Sequence, residues 1–385
     1  MALTSSLLAA AAPKPVRVFF PCTGLGRQRR GFETFTTECS AALRGDPRLS
    51  ISVFAGGGEN EEGLRVLPNL SRDSRIAALL GRLARHEPYF IEQASFFLSF
   101  LPYLLREQPD VVYFADLNLG NLCWHWRRLT GARYRLLFYN GGAMTTPYTR
   151  MDFVQQITPS GLRDAVARGE DALHQTVLPL GVFAPTSLPA RITGRDRASL
   201  GLPTDRPIVL SVGMLDTAIK RMDFLIREVA ALDAPRPFLV LLGAETRDTP
   251  VLRQLASERL GADGYLVATV NREQLALYYR AADVFALASL REGFGLVYVE
   301  ALLHGLTVVA HDSPVTRYVL DGHGELADLG AEGAATTALR RVLEAPVVGR
   351  DRWERYESAR GRFGWQALAD QYASMLVRVS AMPTT

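Results

Sequence analysis

Short apolar runs bounded by Gly, Pro, Asp or Asn recur through the first half of the chain, at Val16–Cys22, Leu49–Ala55, Val111–Phe114 and Leu136–Tyr139. The second half repeats the pattern at Ile208–Val212, Phe238–Leu242, Val284–Ala286 and Thr307–Ala310. Runs of this kind suit strands buried on both faces of a parallel sheet. Between them, apolar positions recur with helical spacing over Phe32–Leu43, Ser74–Arg85, Met222–Ala231, Val251–Leu260 and Arg272–Ala281. Strand and helix in alternation predict an α/β fold. The alternation breaks once, where Pro185, Pro189 and Gly194 cluster before the strand at Ile208. A boundary there yields two Rossmann-like, doubly wound domains, 1–185 and 186–362, with 363–385 as a final amphipathic helical segment. The carboxyl ends of both sheets would then face a central cleft, the usual place for a ligand.

Composition narrows the classes. A chain of 385 residues is long enough for about two cores. Its 48% hydrophobic and 22% charged residues exclude a disordered, collagen-like or coiled-coil protein. A net charge of only +3 lacks the concentrated basic field of a nucleic-acid binder. Cys22, Cys39 and Cys123 are too few and too scattered for a disulfide framework or a metal-binding CxxC pair, which fits a reducing cytoplasm. Residues 1–14 read as a disordered leader, since no Lys or Arg precedes their apolar run. Tyr89–Leu105 is the most apolar later stretch, but Glu92, Gln93 and Pro102 interrupt it. A membrane span needs ~20 apolar residues, so a packed helix is expected; peripheral contact with the inner face of a membrane is the alternative.

Candidate chemistry concentrates in Ala288–Leu302. A strand ends, a loop carries Glu292, and Gly293 and Gly295 open a helix bearing Glu300. Glycines at a helix start let backbone N–H groups approach a phosphate, and the helix dipole adds positive potential. Two Glu at this spacing occur readily by chance; strand end, glycines and helix start supply the context that makes them a site.

The segment Glu292-Gly-Phe-Gly-Leu-Val-Tyr-Val-Glu300-Ala-Leu resembles the E-x7-E signature of the retaining glycosyltransferases of family 4, which have the GT-B fold. Val209–Gly213 with Ile219–Ile226, Gln274–Asp283 and Gly305–Ala310 resemble neighbouring family segments in the same order, and the final helix resembles one that crosses back to the N-terminal domain. The resemblance implies a metal-independent hexosyltransferase with no cofactor, whose donor substrate is a nucleoside-diphosphate sugar. Glu292 and Lys220 would be catalytic, Lys220 on the diphosphate and Glu292 on the transferred sugar. Glu300 would hold the ribose hydroxyls, Val270 would sit near the nucleobase, and the backbone at Phe294, Gly295 and Leu296 would line the sugar and phosphate pocket. Gly213 would lie beneath the diphosphate. Met214 stands where the family has Arg, and Arg221 or Arg291 would replace that cation. Asn140 stands where many relatives have His.

In the N-terminal half, Thr23-Gly-Leu-Gly-Arg-Gln-Arg-Arg-Gly-Phe-Glu33 links a strand to a helix. Arg29 occupies the last glycine position of a dinucleotide fingerprint, which argues against NAD. Gly24 and Gly26 would instead approach the donor diphosphate, as the matching family loop does. Arg27, Arg29 and Arg30 are cations for phosphate or an anionic acceptor, and otherwise a solvated rim; Asp116 and Asn140 are further acceptor-side candidates. The six histidines have no metal spacing, and Trp124-His125-Trp126 reads as helix packing. The acceptor, whether sugar, lipid-linked or small molecule, is left open. A non-catalytic nucleotide-sugar binder and a GT-B epimerase are the alternative readings on the same fold.

Overall fold

The computed structural model describes residues 14–28, 31–142, 144, 147–345 and 349–384, which fold as two compact units. The expected leader and Arg29 and Arg30 thus fall outside the described residues, apart from Lys14.

The first unit comprises the described parts of Met1–Gln156, Ala165–Leu178 and Ala369–Thr385. Its strands are β1 (Val16–Cys22), β2 (Leu49–Ala55), β3 (Leu64–Val66), β4 (Val111–Phe114), β5 (Arg135–Asn140), β6 (Phe153–Gln156) and β7 (Gln175–Val177). They pair in the order β3-β2-β1-β4-β5-β6-β7, parallel throughout. Its helices are α1 (Gly31–Leu43), α2 (Arg75–Ala84), α3 (Pro88–Glu107) and α4 (Leu117–Thr130), followed by the connecting α5 (Pro159–Ala167). One core is aromatic: Phe19 and Phe100 both pack on Phe54, the latter with centroids 4.8 Å apart. The apolar stretch Tyr89–Leu105 lies in α3, which buries Phe96, Phe97, Phe100 and Leu104 against this core. No helix among the described residues is long and apolar enough to cross a membrane. Trp124 and Trp126 pack half-buried beside the same core, as expected for helix residues.

The second unit holds Ile157–Asp164 and Pro179–Leu368. In chain order it contains α6 (Gly194–Ala198), β8 (Ile208–Val212), α7 (Met222–Ala230), β9 (Phe238–Leu242), α8 (Thr249–Leu260), β10 (Tyr265–Ala268), α9 (Arg272–Ala281), β11 (Val284–Leu287), α10 (Leu296–Leu303), β12 (Thr307–His311), α11 (Pro314–Leu320), β13 (Gly324–Ala327), α12 (Ala334–Glu344) and α13 (Gly349–Phe363). Six parallel strands pair as β10-β9-β8-β11-β12-β13. Every residue of β8, β9 and β11 is buried, because helices cover both faces of such a sheet.

The last helix, α14 (Trp365–Ser380), begins in the second unit and from Ala369 onward belongs to the first. There Tyr372 accepts a hydrogen bond from Gln155 at 2.8 Å, and Asp370 pairs with Arg48 at 2.7 Å.

Candidate functional site

In the second unit the chain leaves β8 for β9 and β10 on one side, and resumes on the other with β11, β12 and β13. The carboxyl ends of β8 and β11 therefore flank the point where strand order reverses, the place where open parallel sheets bind ligands. The loop after β8 carries Lys220 and the loop after β11 carries Glu292. Lys220 Nζ donates to Glu292 Oε1 at 2.6 Å, with both side chains largely sheltered from solvent. The two residues the sequence names as catalytic are thus joined across 72 positions of chain.

Asp216 shapes the loop that presents Lys220. Its Oδ1 accepts the Ile219 and Lys220 backbone N–H groups at 2.6 and 2.9 Å, and its carbonyl accepts that of Met222. A Cβ at Gly213 would lie 3.1 Å from the Lys220 stem, and Gly243 abuts Gly213 so closely that a Cβ at Gly243 would lie 1.5 Å from the Gly213 carbonyl oxygen. On the other side, Gly295 caps α10 at φ +82°, and a Cβ there would lie 2.4 Å from the Tyr298 ring. The N–H groups of Gly295 and Leu296 open α10 at the positive end of its dipole. Phe294 turns its ring inward onto Phe363, so only its backbone can line a pocket. Burial and the Glu292 charge raise the Tyr298 pKa, and its hydroxyl has no hydrogen-bond partner among the described residues.

Glu300, on α10, receives the Tyr279 hydroxyl at 2.9 Å. Burial, then the Glu300 charge, hold the Tyr279 pKa well above the usual phenol range. The Tyr279 ring stacks on His304 at 5.0 Å, and His304 Nδ1 lies 2.7 Å from the Glu300 carbonyl oxygen. Val270 is half-buried in the loop between β10 and α9. Arg221 departs from its expected role. It caps α7 in a left-handed conformation, and its guanidinium donates to the Ala288 and Leu329 carbonyls at 3.2 and 2.6 Å while covering Phe224. It braces the loops rather than offering a free cation. Arg291 is exposed, and Met214 is 43% exposed.

In the first unit, Gly24 and Gly26 form a turn after β1, and Gly26 (φ +81°) packs so closely on Gly57 that a Cβ would lie 2.1 Å from its carbonyl oxygen. Here too two candidates are spent on structure. Arg27 pairs with buried Glu92, which also binds Arg72, and donates to Asn69. The Asn140 amide donates to the Met144 carbonyl, Tyr148 and Gln156, and its Oδ1 accepts the Met144 N–H; it holds the chain after β5 in place. Asp116 differs: it lines a 540 Å³ cavity with Tyr89, Gln93, Asn118, Asn121 and Arg150. Its carboxylate accepts hydrogen bonds from Tyr89 and Thr23, and burial raises its pKa. Gln93 Oε1 is buried without a partner among the described residues. No three His, Cys, Asp or Glu among those residues are placed to hold a metal.

Sequence reasoning missed Asp216, the Tyr279 hydroxyl and Gln93. Of these only Asp216 left a signal, an Asp shortly before a helix start where Asx turns form.

The family model for glycosyl transferases group 1 matches residues 193–360. A GDP-mannose-dependent alpha-(1-6)-phosphatidylinositol monomannoside mannosyltransferase of Mycolicibacterium smegmatis is 34% identical over 315 residues, 75% of this chain and 78% of that protein. A D-inositol 3-phosphate glycosyltransferase of Xylanimonas cellulosilytica is 36% identical over 232 residues, 56% of this chain and 52% of its own. The chain spans about half the length of the first curated relatives it matches. Among solved structures, Anabaena HepE in complex with UDP and glucose superposes with a TM-score of 0.68 at 16% identity, covering 94% of this chain and 100% of that one. The two Rossmann-like units have the GT-B fold. From the match along most of the mannosyltransferase and the family model over the second unit, the chain belongs to the group 1 glycosyl transferases.

Proposed function

We propose that this chain moves a sugar from a nucleoside diphosphate to an acceptor hydroxyl with retention of configuration, as a family 4 enzyme. The Lys220–Glu292 pair at the switch point of the second unit carries the reading. A diphosphate oxygen competes with Glu292 for the Lys220 ammonium, and Glu292 then accepts a hydroxyl of the bound sugar. As the bond from the anomeric carbon to the leaving phosphate oxygen breaks, charge builds on the diphosphate; Lys220 and the N–H groups at the start of α10 stabilise it without a metal. The acceptor oxygen bonds the anomeric carbon on the face the diphosphate leaves, and its proton passes to a donor phosphate oxygen. Glu300, held by Tyr279, accepts the ribose hydroxyls, and Val270 borders the base. The cavity at Asp116 in the first unit takes the acceptor, whose hydroxyls can donate to Gln93 Oε1.

HepE binds UDP and the mannosyltransferase relative is described as GDP-mannose-dependent, so uridine and guanosine diphosphate sugars are the first donors to try. Three free, buried cysteines support a reducing cytoplasm. Glu292→Gln should lower turnover by about 100- to 1,000-fold with the melting temperature unchanged, and the wild-type product should keep the donor's anomeric configuration by NMR. Undiminished turnover in Glu292→Gln would sink the assignment. A second reading, donor binding without transfer, is favoured by exposed Met214 in place of a cation; it would give a tight diphosphate complex and no product with any acceptor.

A further inference from the structure

The second sheet has an amino-terminal end as well, away from Lys220 and Glu292. There a 250 Å³ cavity lies beside Gly305 and Thr307, at the start of β12, and beneath Arg352 and Arg355 of α13. Arg191, from the segment before α6, and Arg341, on α12, complete its cationic lining. Four guanidiniums around so small a space repel one another unless anions lie between them.

Two of the four are neutralised. Arg191 pairs with Asp283, just before β11, and Arg341 pairs with Glu325 on β13. Asp283 has little capacity to spare, because it also binds Arg197 at 2.9 Å and accepts the Ile208 N–H at 2.8 Å. Arg352 and Arg355 are different. Both are half-buried, and neither makes an ion pair among the described residues. They meet only backbone carbonyls, and at long distances. Arg352 Nη2 donates to the Pro189 and His304 oxygens at 3.3 Å, and Arg355 Nη1 donates to that of Gly305 at 3.4 Å. A guanidinium carries five N–H donors. Capping the carbonyls at the end of α10 therefore accounts for one nitrogen of each side chain and leaves the others to face the cavity. Burial, then the charges of Arg191 and Arg355, draw the Arg352 pKa below the usual guanidinium value. Arg191 Nε is buried without a partner among the described residues. The remaining acid of the lining, Asp351, is exposed at the start of α13 and makes no ion pair among those residues.

This lining is short of an anion. The planar fork of a guanidinium matches phosphate oxygens two at a time. The cavity is smaller than the about 300–1,000 Å³ that holds a drug-sized ligand, which suits phosphate or a small phosphate ester. We infer that the cavity binds a phosphate-bearing small molecule through Arg352 and Arg355, at a site separate from that of the donor. The inference does not rest on the transfer reaction, since its readout needs neither donor nor acceptor.

The test is titration calorimetry of the full chain at low salt in a phosphate-free buffer, with inorganic phosphate and with glycerol 3-phosphate. Phosphate should bind saturably, and more weakly as salt is raised. Arg352→Gln/Arg355→Gln should raise the dissociation constant by about tenfold or more. Because those arginines also meet the end of α10, a second variant leaves them intact: Asp351→Asn removes a carboxylate from an exposed position of the lining and should tighten binding. Lys220→Met should bind phosphate at this site as the wild type does. Tighter binding of the ester would make it the occupant, and tighter binding of inorganic phosphate would make the free anion the occupant. No saturable binding of either, an affinity that neither substitution in the lining alters, or loss of the binding in Lys220→Met would overturn the proposal.

Discussion

Lys220 and Glu292 are each other's nearest opposite charge, so removing one changes the other. Lys220→Met should abolish turnover and weaken diphosphate affinity together, since the ammonium serves ground state and transition state alike; Glu292→Gln should tighten binding of the bare diphosphate, because the competitor for the ammonium is gone, and still reduce turnover. Titration calorimetry beside a diphosphate-release assay separates the two. Tyr279→Phe keeps the stack on His304 and loses the hydroxyl's bond to Glu300 at 2.9 Å and its longer one to the Val297 carbonyl at 3.5 Å. A hydrogen bond to a charged group contributes about 1.5–3 kcal/mol to stability and this one is formed without any donor present, so the melting temperature should fall, and donor affinity should fall with it because Glu300 is no longer held in place. Asp116 is a carboxyl whose folded pKa is raised by burial. Its contribution to stability is present at acid pH, below the ordinary carboxylate value, and is lost as pH rises through the raised one. Asp116→Asn should therefore flatten the decline in melting temperature from acid toward neutral pH. An unaltered profile would mean the carboxylate is better solvated than its surroundings imply.

At the scale of elements, glycines decide whether the loops can approach one another. Gly295→Ala must hold a non-glycine residue at φ +82° and also crowd Tyr298. Strain of this kind costs about 1–3 kcal/mol, so a clear drop in melting temperature is expected, and an unchanged melt would refute the constraint. The strands that bear these loops were legible in the chain because central parallel strands are continuously apolar: β1, β2, β4, β8 and β9 lie where the runs predict them. The marginal strands were not. β6 reads Phe-Val-Gln-Gln and β3 and β7 have three residues each, too short or too polar to stand out. Loops gave up residue types but not directions. Glu292 and Lys220 could be named from the resemblance and the loop context, whereas the inward use of Arg27 and Arg221 depends on partners 42 to 65 and 67 to 108 positions away, and no local pattern encodes those. α2 shows the converse. Its periodicity marked a helix correctly, but period alone cannot say that the apolar side, Ile76, Leu79, Leu80 and Leu83, faces out.

For the whole molecule, the two units carry different chemistry on the same architecture. The second presents a cation, two carboxylates and a helix start near its strand-order reversal. The first presents a polar cavity with a carboxyl of raised pKa and an amide oxygen that has no partner among the described residues, and on another element an outward aliphatic stripe. That division suits a donor held by one unit and an acceptor by the other. The most direct measurement is thermal unfolding of the purified chain with UDP, GDP, ADP and their sugar conjugates, in wild type and Lys220→Met. One diphosphate family should stabilise the wild type, by about 2.7 kcal/mol at 100 times its dissociation constant, and this shift should shrink sharply in the variant. A folded protein that none of these ligands stabilises, or a shift of equal size in Lys220→Met, would contradict the donor site described for the second unit.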